Sequence, residues 1–305
     1  MRSLNSNSAH RNPRILVVGS SNTDLVLSCP QLPQPGHSTV GGEFQRFAGG
    51  KGANQAVAAA RAGAQVTFVG ARGRDDFGRA AAESLRREKI DVRHFVECPK
   101  VSSGIALIFL GGKSRENMIG VARSANDVLS PRHVRKAKAE FKKAQVVVAQ
   151  LEMPLATVIE AAKLAHAANV PFLLNPAPVQ MMPKSLLKLV HTLTPNEHEV
   201  ILLTKLTDLK KAAAKLVKNG CKQVIVTLGS KGALLVTAKG AKHFPAPKVK
   251  PVDTVGAGDC FSGWLAVGIA EGMPIEASIK RALRAASLSV TRFGSQASMP
   301  YRREI

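Results

Sequence analysis

Acid, aromatic rings and long apolar runs are all scarce in this sequence. Asp and Glu number 21 against 43 Lys and Arg, a formal charge of +22, and Phe, Trp and Tyr make up 4% of the 305 residues. With so few aromatics, the chain lacks the platforms on which single-stranded bases stack. It also shows no helix-turn-helix, zinc-finger or RNA-binding signature. Nucleic acid is therefore not expected as its main partner, in spite of the charge. The cations gather in stretches such as 132–143 and 209–222, interleaved with Ala, Val and Leu, which is the pattern of solvated helix faces over apolar stripes. No apolar run reaches the roughly 18 residues that cross a bilayer, so no membrane association is expected. The cysteines, Cys29, Cys98, Cys221 and Cys260, lie far apart without metal-ligand spacing and read as reduced thiols of a cytoplasmic protein. Residues 1–13 are polar and basic and read as a disordered tail.

What is present is a globular composition, 45% hydrophobic, arranged in an alternating rhythm. Short apolar runs at 14–20, 65–71, 144–151, 170–175, 222–229 and 233–238 read as strands. Helical patterns at 51–64, 77–89, 154–168, 256–272 and 275–293 fall between and after them. Alternating strands and helices imply an α/β fold: a parallel sheet covered by helices on both faces. Two stretches break the rhythm. Residues 22–48 alternate weakly and carry Pro and Gly, as short antiparallel strands do, and residues 102–120 read as a hairpin around Gly111-Gly112-Lys113. Together they are expected to form a small β-sheet lid on one main domain spanning 14–305.

The strongest local motif is DTVGAGDCFSG at 253–263. Gly256, Ala257 and Gly258 lead into a helix near Asp259. The unpaired N–H groups and dipole of that helix end make an anion site suited to a phosphoryl group, with a carboxylate at its mouth able to take a hydroxyl proton. On spacing alone, a Gly-rich turn capped by an Asp accounts for it equally well. The second motif, FAGGKGANQAVAAARAGA at 47–64, surrounds Lys51 with glycines just before a helix and lacks the GxxxxGK[ST] order of a Walker A loop. Lys51 and Asn54 have the chemistry to bind a polyol, although the pattern alone fits an exposed helix start. Asn22 and Asp24 lie in GSSNTD at the carboxyl end of the first strand, where ligands bind in open α/β sheets. Asn196 and Glu199 in TPNEHE share one side of a helical turn. They suit either Mg²⁺ near phosphate or a reciprocal helix cap. TLGSKG at 227–232 is a Gly-rich loop at a strand end.

Taken in order, these motifs resemble those of the PfkB/ribokinase family of carbohydrate kinases. So do SGIALIF (103–109), SANDVLSP (124–131), QLEMPL (150–155), LNPAP (174–178) and VTRFGSQASMPYR (290–302), and the likeness runs across 14–302. The resemblance implies a Rossmann-like α/β sandwich with a β lid, dimerisation through the lids, and transfer of a phosphoryl group from ATP to the 5-hydroxyl of D-ribose. It implies Asp259 as catalytic base and the backbone of Gly256, Ala257 and Gly258 as anion hole. Sugar contacts are implied for Asn22, Asp24, Gly50, Lys51, Asn54, Glu152 and Asp259. Nucleotide contacts are implied for Asn196, Thr227, Leu228, Gly229, Ser230, Lys231, Gly232 and Gly258. Glu199 is implied at the Mg²⁺ site. Asp253, Val255, Ser289, Arg292, Gly294 and Ser298 are implied around a monovalent cation, usually K⁺. Leu283 departs from the pattern, falling where some members place a polar residue beside adenine. Deoxyribose, another sugar or a nucleoside is the alternative acceptor. A nucleic-acid-binding protein on a kinase fold is the alternative of another class.

Overall fold

The structure, a computed structural model, describes residues 12–112 and 116–305. Of the expected tail only Asn12 and Pro13 fall within it, and Lys113 of the expected hairpin tip lies outside the described residues. The first part of the chain runs β1 (Arg14–Val18), β2 (Asn22–Cys29), β3 (Glu43–Gly49), α1 (Lys51–Arg61), β4 (Gln65–Gly73), α2 (Asp76–Arg87), β5 (Asp91–Cys98), β6 (Gly104–Gly111) and β7 (Glu116–Ala122). The middle runs α3 (Pro131–Lys136), α4 (Lys138–Phe141), β8 (Val146–Ala149), α5 (Leu155–Ala167), β9 (Phe172–Leu174), α6 (Lys184–Leu187), β10 (Thr192–Leu193), α7 (Glu197–Thr204) and α8 (Leu209–Lys218). The last part comprises β11 (Gln223–Thr227), β12 (Ala233–Thr237), β13 (Gly240–Phe244), α9 (Ala257–Ala270) and α10 (Ile275–Ser289).

The strands sort into two sheets. Nine form the order β13-β12-β11-β10-β9-β8-β1-β4-β5, parallel from β11 to β5, with β12 and β13 antiparallel at one edge. Successive residues of a strand point to opposite faces, so Leu16 and Val18 of β1 join one core while Ile15 and Val17 join the other. The first core lies under α3 to α8, and the second under α1, α2, α9 and α10. The main domain is thus an α/β sandwich of Rossmann-like form. The other four strands form a separate small sheet, β3-β2-β6-β7. Its two hairpins are antiparallel, as expected, but they join through a parallel β2–β6 pairing. That pairing arises because each hairpin's first strand leaves the main sheet in the same direction.

Elements and sequence patterns differ in places. The helix expected over 51–64 ends at Arg61, and the one expected to reach 293 ends at Ser289. Strands β5 and β13 carry His, Arg, Lys or Glu at half-covered or exposed edge positions, and their polar character hid them.

Candidate active site

Three backbone segments converge at the carboxyl ends of the central strands: the turn before α9, the first turn of α1, and the loops after β1 and β8. Gly256 caps α9 with φ of 79°, a left-handed conformation that suits glycine. Asp259, the third residue of α9, is 5% exposed and faces a polar cavity rather than the apolar core. Its Oδ1 accepts from Gln55 Nε2 at 2.9 Å and its Oδ2 from Asn54 Nδ2 at 3.0 Å. Each carboxylate oxygen is therefore fixed by one amide and keeps a lone pair for a ligand. Among residues 256–259, Ala257 differs from expectation: its N–H donates to Thr254 O at 3.3 Å, which leaves it less free to face an anion. The two helices meet closely because a side chain at Gly263 would place its Cβ 2.6 Å from Ala58 Cβ. The small residues of α1 that read as helix formers in sequence are therefore also what lets Asn54 and Gln55 reach Asp259.

A chain of amides backs this pair. Gln150 Nε2 donates to Gln55 Oε1 at 2.7 Å, Gln55 Nε2 also donates to Asn175 Oδ1 at 3.2 Å, and Asn175 Nδ2 donates to Thr194 O at 2.8 Å. On the other side Gln296 Nε2 donates to Asn54 Oδ1 at 3.1 Å. Gln55 and Gln150 have no measurable exposure. Because each amide is oriented by its neighbour, the network fixes the carboxylate's position before any ligand arrives.

The residues expected on the sugar side cluster beside it. Glu152 Oε2 accepts from Ser20 Oγ at 2.6 Å and from the Lys51 backbone N–H at 2.9 Å. Asn22 Oδ1 accepts from Asn126 Nδ2 at 2.8 Å, and Gly50 caps α1. Asp24 lies on β2 over Gly49, where any Cβ would come within 2.3 Å of Asp24 Oδ2. Burial, with the Glu152 and Asp259 charges, raises the Asp24 carboxyl to about 6. Lys51 is raised above the ordinary lysine range, chiefly by Asp259 and further by Glu152 and Glu199, against the opposing effect of burial. One ammonium thus sits among several carboxylates and lines the smaller of two cavities that share Thr254. The larger, about 760 Å³, lies between the small sheet and residues 251–255 and 293–295, with Asp24 and Phe47 on its wall.

The smaller cavity, about 170 Å³, is lined by Lys51, Asn175, Thr194, Asn196, Glu199, Thr227, Thr254 and residues 256–259. Asn196 and Glu199 realise the capping pair: each side chain accepts from the other's backbone N–H at 2.8 Å. Burial raises the Glu199 carboxyl, offset by the Asn196 N–H and Lys51. Of the loop 227–232, Thr227 lines this cavity. Leu228 N–H closes the loop on Gly232 O at 2.8 Å, Gly229, Ser230 and Lys231 form one helical turn, and Lys231 lies 3.9 Å from Glu197. Leu283 is 6% exposed in the core under α10. Among the described residues, no three His, Cys, Asp or Glu side chains converge as a metal-ligand group. A divalent cation here would be held through one carboxylate, Glu199, with phosphate and water completing its shell, as Mg²⁺ commonly is.

Of the residues expected around a monovalent cation, Asp253, Val255 and Gly294 come together. Asp253 accepts from Val255 N–H at 3.0 Å and from Gly294 N–H at 2.9 Å; Val290 O accepts from Asp253 N–H at 3.2 Å. Ser298 Oγ donates to Ser295 O at 3.0 Å, Ser289 Oγ donates to Ala286 O at 2.9 Å, and the Arg292 guanidinium points away to Glu304. Carbonyl and carboxylate oxygens in such a loop pair are hard donors, which fits an alkali cation. Gln55, Gln150, Asn175, Gln296 and Asn126 escaped the sequence reading. All five lie inside quoted motifs, but nothing in a sequence says which way an amide side chain points.

Comparison with known proteins matches this geometry to a family. The model of "pfkB family carbohydrate kinase" matches residues 12–302. The ribokinase of Bacillus subtilis is 40% identical over 292 residues, 95% of this chain and 97% of that protein. The deoxyribokinase of Salmonella typhi is 37% identical, covering 94% of this chain and 95% of its own. Among solved structures, that of Arabidopsis thaliana ribokinase complexed with ribose and ATP superposes with a TM-score of 0.90 at 33% identity, over 96% of this chain and 97% of the other. With the likeness spanning the main sheet, the small sheet and the Asp259 turn alike, the chain belongs to the pfkB family of carbohydrate kinases.

Proposed function

We propose that the chain phosphorylates D-ribose at its 5-hydroxyl with ATP, giving ribose 5-phosphate and ADP. The observation that carries this is Asp259, held by two amides at the amino end of α9 in a cavity that Lys51 also lines. Ribose lies against Asn22, Asp24, Gly50, Lys51, Asn54 and Glu152, reached through the larger cleft that Asp24 borders, with its 5-hydroxyl at Asp259. ATP lies along Asn196, Thr227–Gly232 and Gly258, with its γ-phosphate toward Gly256–Gly258. As the hydroxyl oxygen bonds to the γ-phosphorus, the bond to the β–γ bridging oxygen breaks, ADP departs, and Asp259 takes the hydroxyl proton. Positioning and electrostatics supply most of the acceleration. The hydroxyl becomes acidic only as the bond forms, and its proton passes to Asp259 at that point. Mg²⁺ near Glu199 would neutralise phosphate charge, and K⁺ among the 253–255 and 289–298 oxygens would stiffen the turn that carries Gly256.

The small sheet acts in this proposal as a lid and a dimer contact. Its face turned away from the cleft carries exposed Phe44, Leu107 and Met118, an apolar surface suited to a second copy of the chain. The described cysteines are free thiols, Cys29, Cys221 and Cys260 buried, and no described helix is long and apolar enough to cross a membrane, which suits the reducing cytoplasm. The likeness to a deoxyribokinase keeps a second acceptor in view. A coupled assay with ribose, deoxyribose and nucleosides, with and without K⁺, tests the proposal: ribose should rank first and K⁺ should raise turnover. A higher kcat/KM for deoxyribose moves the assignment to that sugar, and no ADP with any acceptor ends it.

A further inference from the structure

The chain carries a formal charge of +22, and fifteen of its 43 Lys and Arg fall in one layer of the fold. Residues 131–222 build the helix layer α3–α8 and its connecting turns. All fifteen Lys and Arg of this segment are exposed, whereas Asp208 is the one exposed acid among its six. Asp208 is itself occupied as the N-cap of α8. Ion pairing does little to quench this face. Among the described residues, of these fifteen cations only Arg135, with Glu160, and Lys143, with Glu140, form an ion pair. The opposite layer contrasts with it. On α2, Arg79, Arg86 and Arg87 each have an acid one turn back, and Arg281 on α10 pairs with Glu271. The strongest runs are Arg132, Lys136 and Lys138 on α3 and α4, and Lys210, Lys211 and Lys218 on α8. Both helices cover the same face of the sheet.

We infer that this layer is a docking surface for the phosphate backbone of double-stranded nucleic acid, bound without regard to sequence and separate from the kinase site. The charge complementarity is direct, since a duplex carries one negative charge per about 1.7 Å of its axis. The lack of other features on the face narrows the partner. The aromatics of the segment, Phe141 and Phe172, are each 1% exposed, so no ring is available to stack on unpaired bases. Met181 is the one exposed large apolar side chain described in the segment, so no wedge enters an acyl layer. A basic face with neither rings nor wedge suits a rod of fixed, regularly spaced phosphates. The scarcity of aromatics argued against nucleic acid as the main partner, and it still excludes single strands. It is no obstacle to contacts with a duplex backbone.

The test is fluorescence anisotropy of the full-length chain with a mixed-sequence duplex of about 20 base pairs, the matching single strand, and vesicles of phosphatidylserine and phosphatidylcholine, over about 50–200 mM KCl. The duplex should bind with a log K against log salt slope of about −4 to −6, losing roughly 250- to 4,000-fold affinity across that range. The variant Arg132→Gln, Lys136→Gln, Lys138→Gln, Lys210→Gln, Lys211→Gln, Lys218→Gln should bind at least tenfold more weakly, with a shallower slope and unchanged kinase turnover. It keeps residues 1–13 intact, so the loss assigns the face rather than the amino terminus. The variant Lys280→Gln, Arg284→Gln on the opposite layer should leave binding within about twofold. Undiminished duplex binding by the six-residue variant overturns the inference. So does tighter binding of the single strand than of the duplex, or capture by vesicles without capture by the duplex.

Discussion

The two helix layers of this sandwich spend their polar residues in opposite ways. The layer of α1, α2, α9 and α10 gives many of its polar residues partners, buried at the site and exposed along α2. Asn54, Gln55 and Asp259 satisfy one another at 2.9–3.0 Å, and the arginines of α2 have acids one turn away. The layer of α3–α8 exposes its polar residues and leaves most of them without an ion pair. Both layers rest on the same kind of apolar core, so burial does not distinguish them. What differs is whether a polar group has a fixed partner inside the protein. A group with a partner has one position, which is what chemistry requires. A group without one has a charge that acts at a distance, which suits steering or docking.

The largest effect should come from removing the group for which the first layer is built. Asp259→Asn is expected to lower kcat by about 10³-fold or more with little change in the KM for sugar, measured by steady-state kinetics. Turnover near that of the parent chain would place the base elsewhere and erase the contrast between the layers. Gln55→Leu comes next. Gln55 touches no substrate in the proposed arrangement and acts by positioning Asp259, so kcat should fall by about 10- to 100-fold while KM for both substrates holds. A merely structural role would lower the melting temperature and leave kcat of the folded enzyme in place.

The contrast also explains what could be read in advance. Period and turn chemistry are local, so the β/α rhythm, the small sheet and the Gly-rich turn before Asp259 were legible in the sequence. The partner of an amide is not local. Gln55 reads as one more residue in an Ala-rich helix, and the fold alone brings Gln150, Asn175 and Asp259 to it. The TPNEHE motif carried two meanings, and the structure shows the cap in place while its Glu199 still borders the cavity. The Lys-rich stretches were correctly read as solvated helix faces. Their placement on one side depends on strand order, which no local pattern contains.

A third effect, of intermediate size, separates function from stability within the site. The Asp24 carboxyl is raised to about 6 from its ordinary 3.8, so between those values the folded chain holds a proton that the unfolded chain has released. Stability therefore falls as pH rises through that window, and the loss persists at neutral pH. Asp24→Asn should raise stability at pH 7 by about 2 kcal/mol, allowing for partial exposure, and the gain should vanish below about pH 4. Thermal melts at both pH values test the sign, while KM for the sugar should rise. A neutral-pH destabilisation would mean that Asp24 is held by a favourable partner rather than strained by its carboxylate neighbours.

The smallest effect concerns the exposed layer, and its sign carries the interest. An exposed ion pair contributes little to stability, and most of the cations on α3–α8 have none to lose. With a net charge of +22, their main energetic effect on the fold is mutual repulsion. Replacing Arg132, Lys136, Lys138, Lys210, Lys211 and Lys218 by Gln should therefore stabilise the chain slightly, by about 1 kcal/mol or less at low ionic strength. The gain should shrink as salt shortens the screening length from about 30 Å at 0.01 M to about 8 Å at 0.15 M. Removing a paired charge from the other layer, as in Glu83→Gln, should do the reverse, costing a few tenths of a kcal/mol at low salt. Melting temperatures at the two salt concentrations separate the cases. If the six substitutions destabilise the fold at low salt, the cations have partners inside the protein, and the two layers are alike after all.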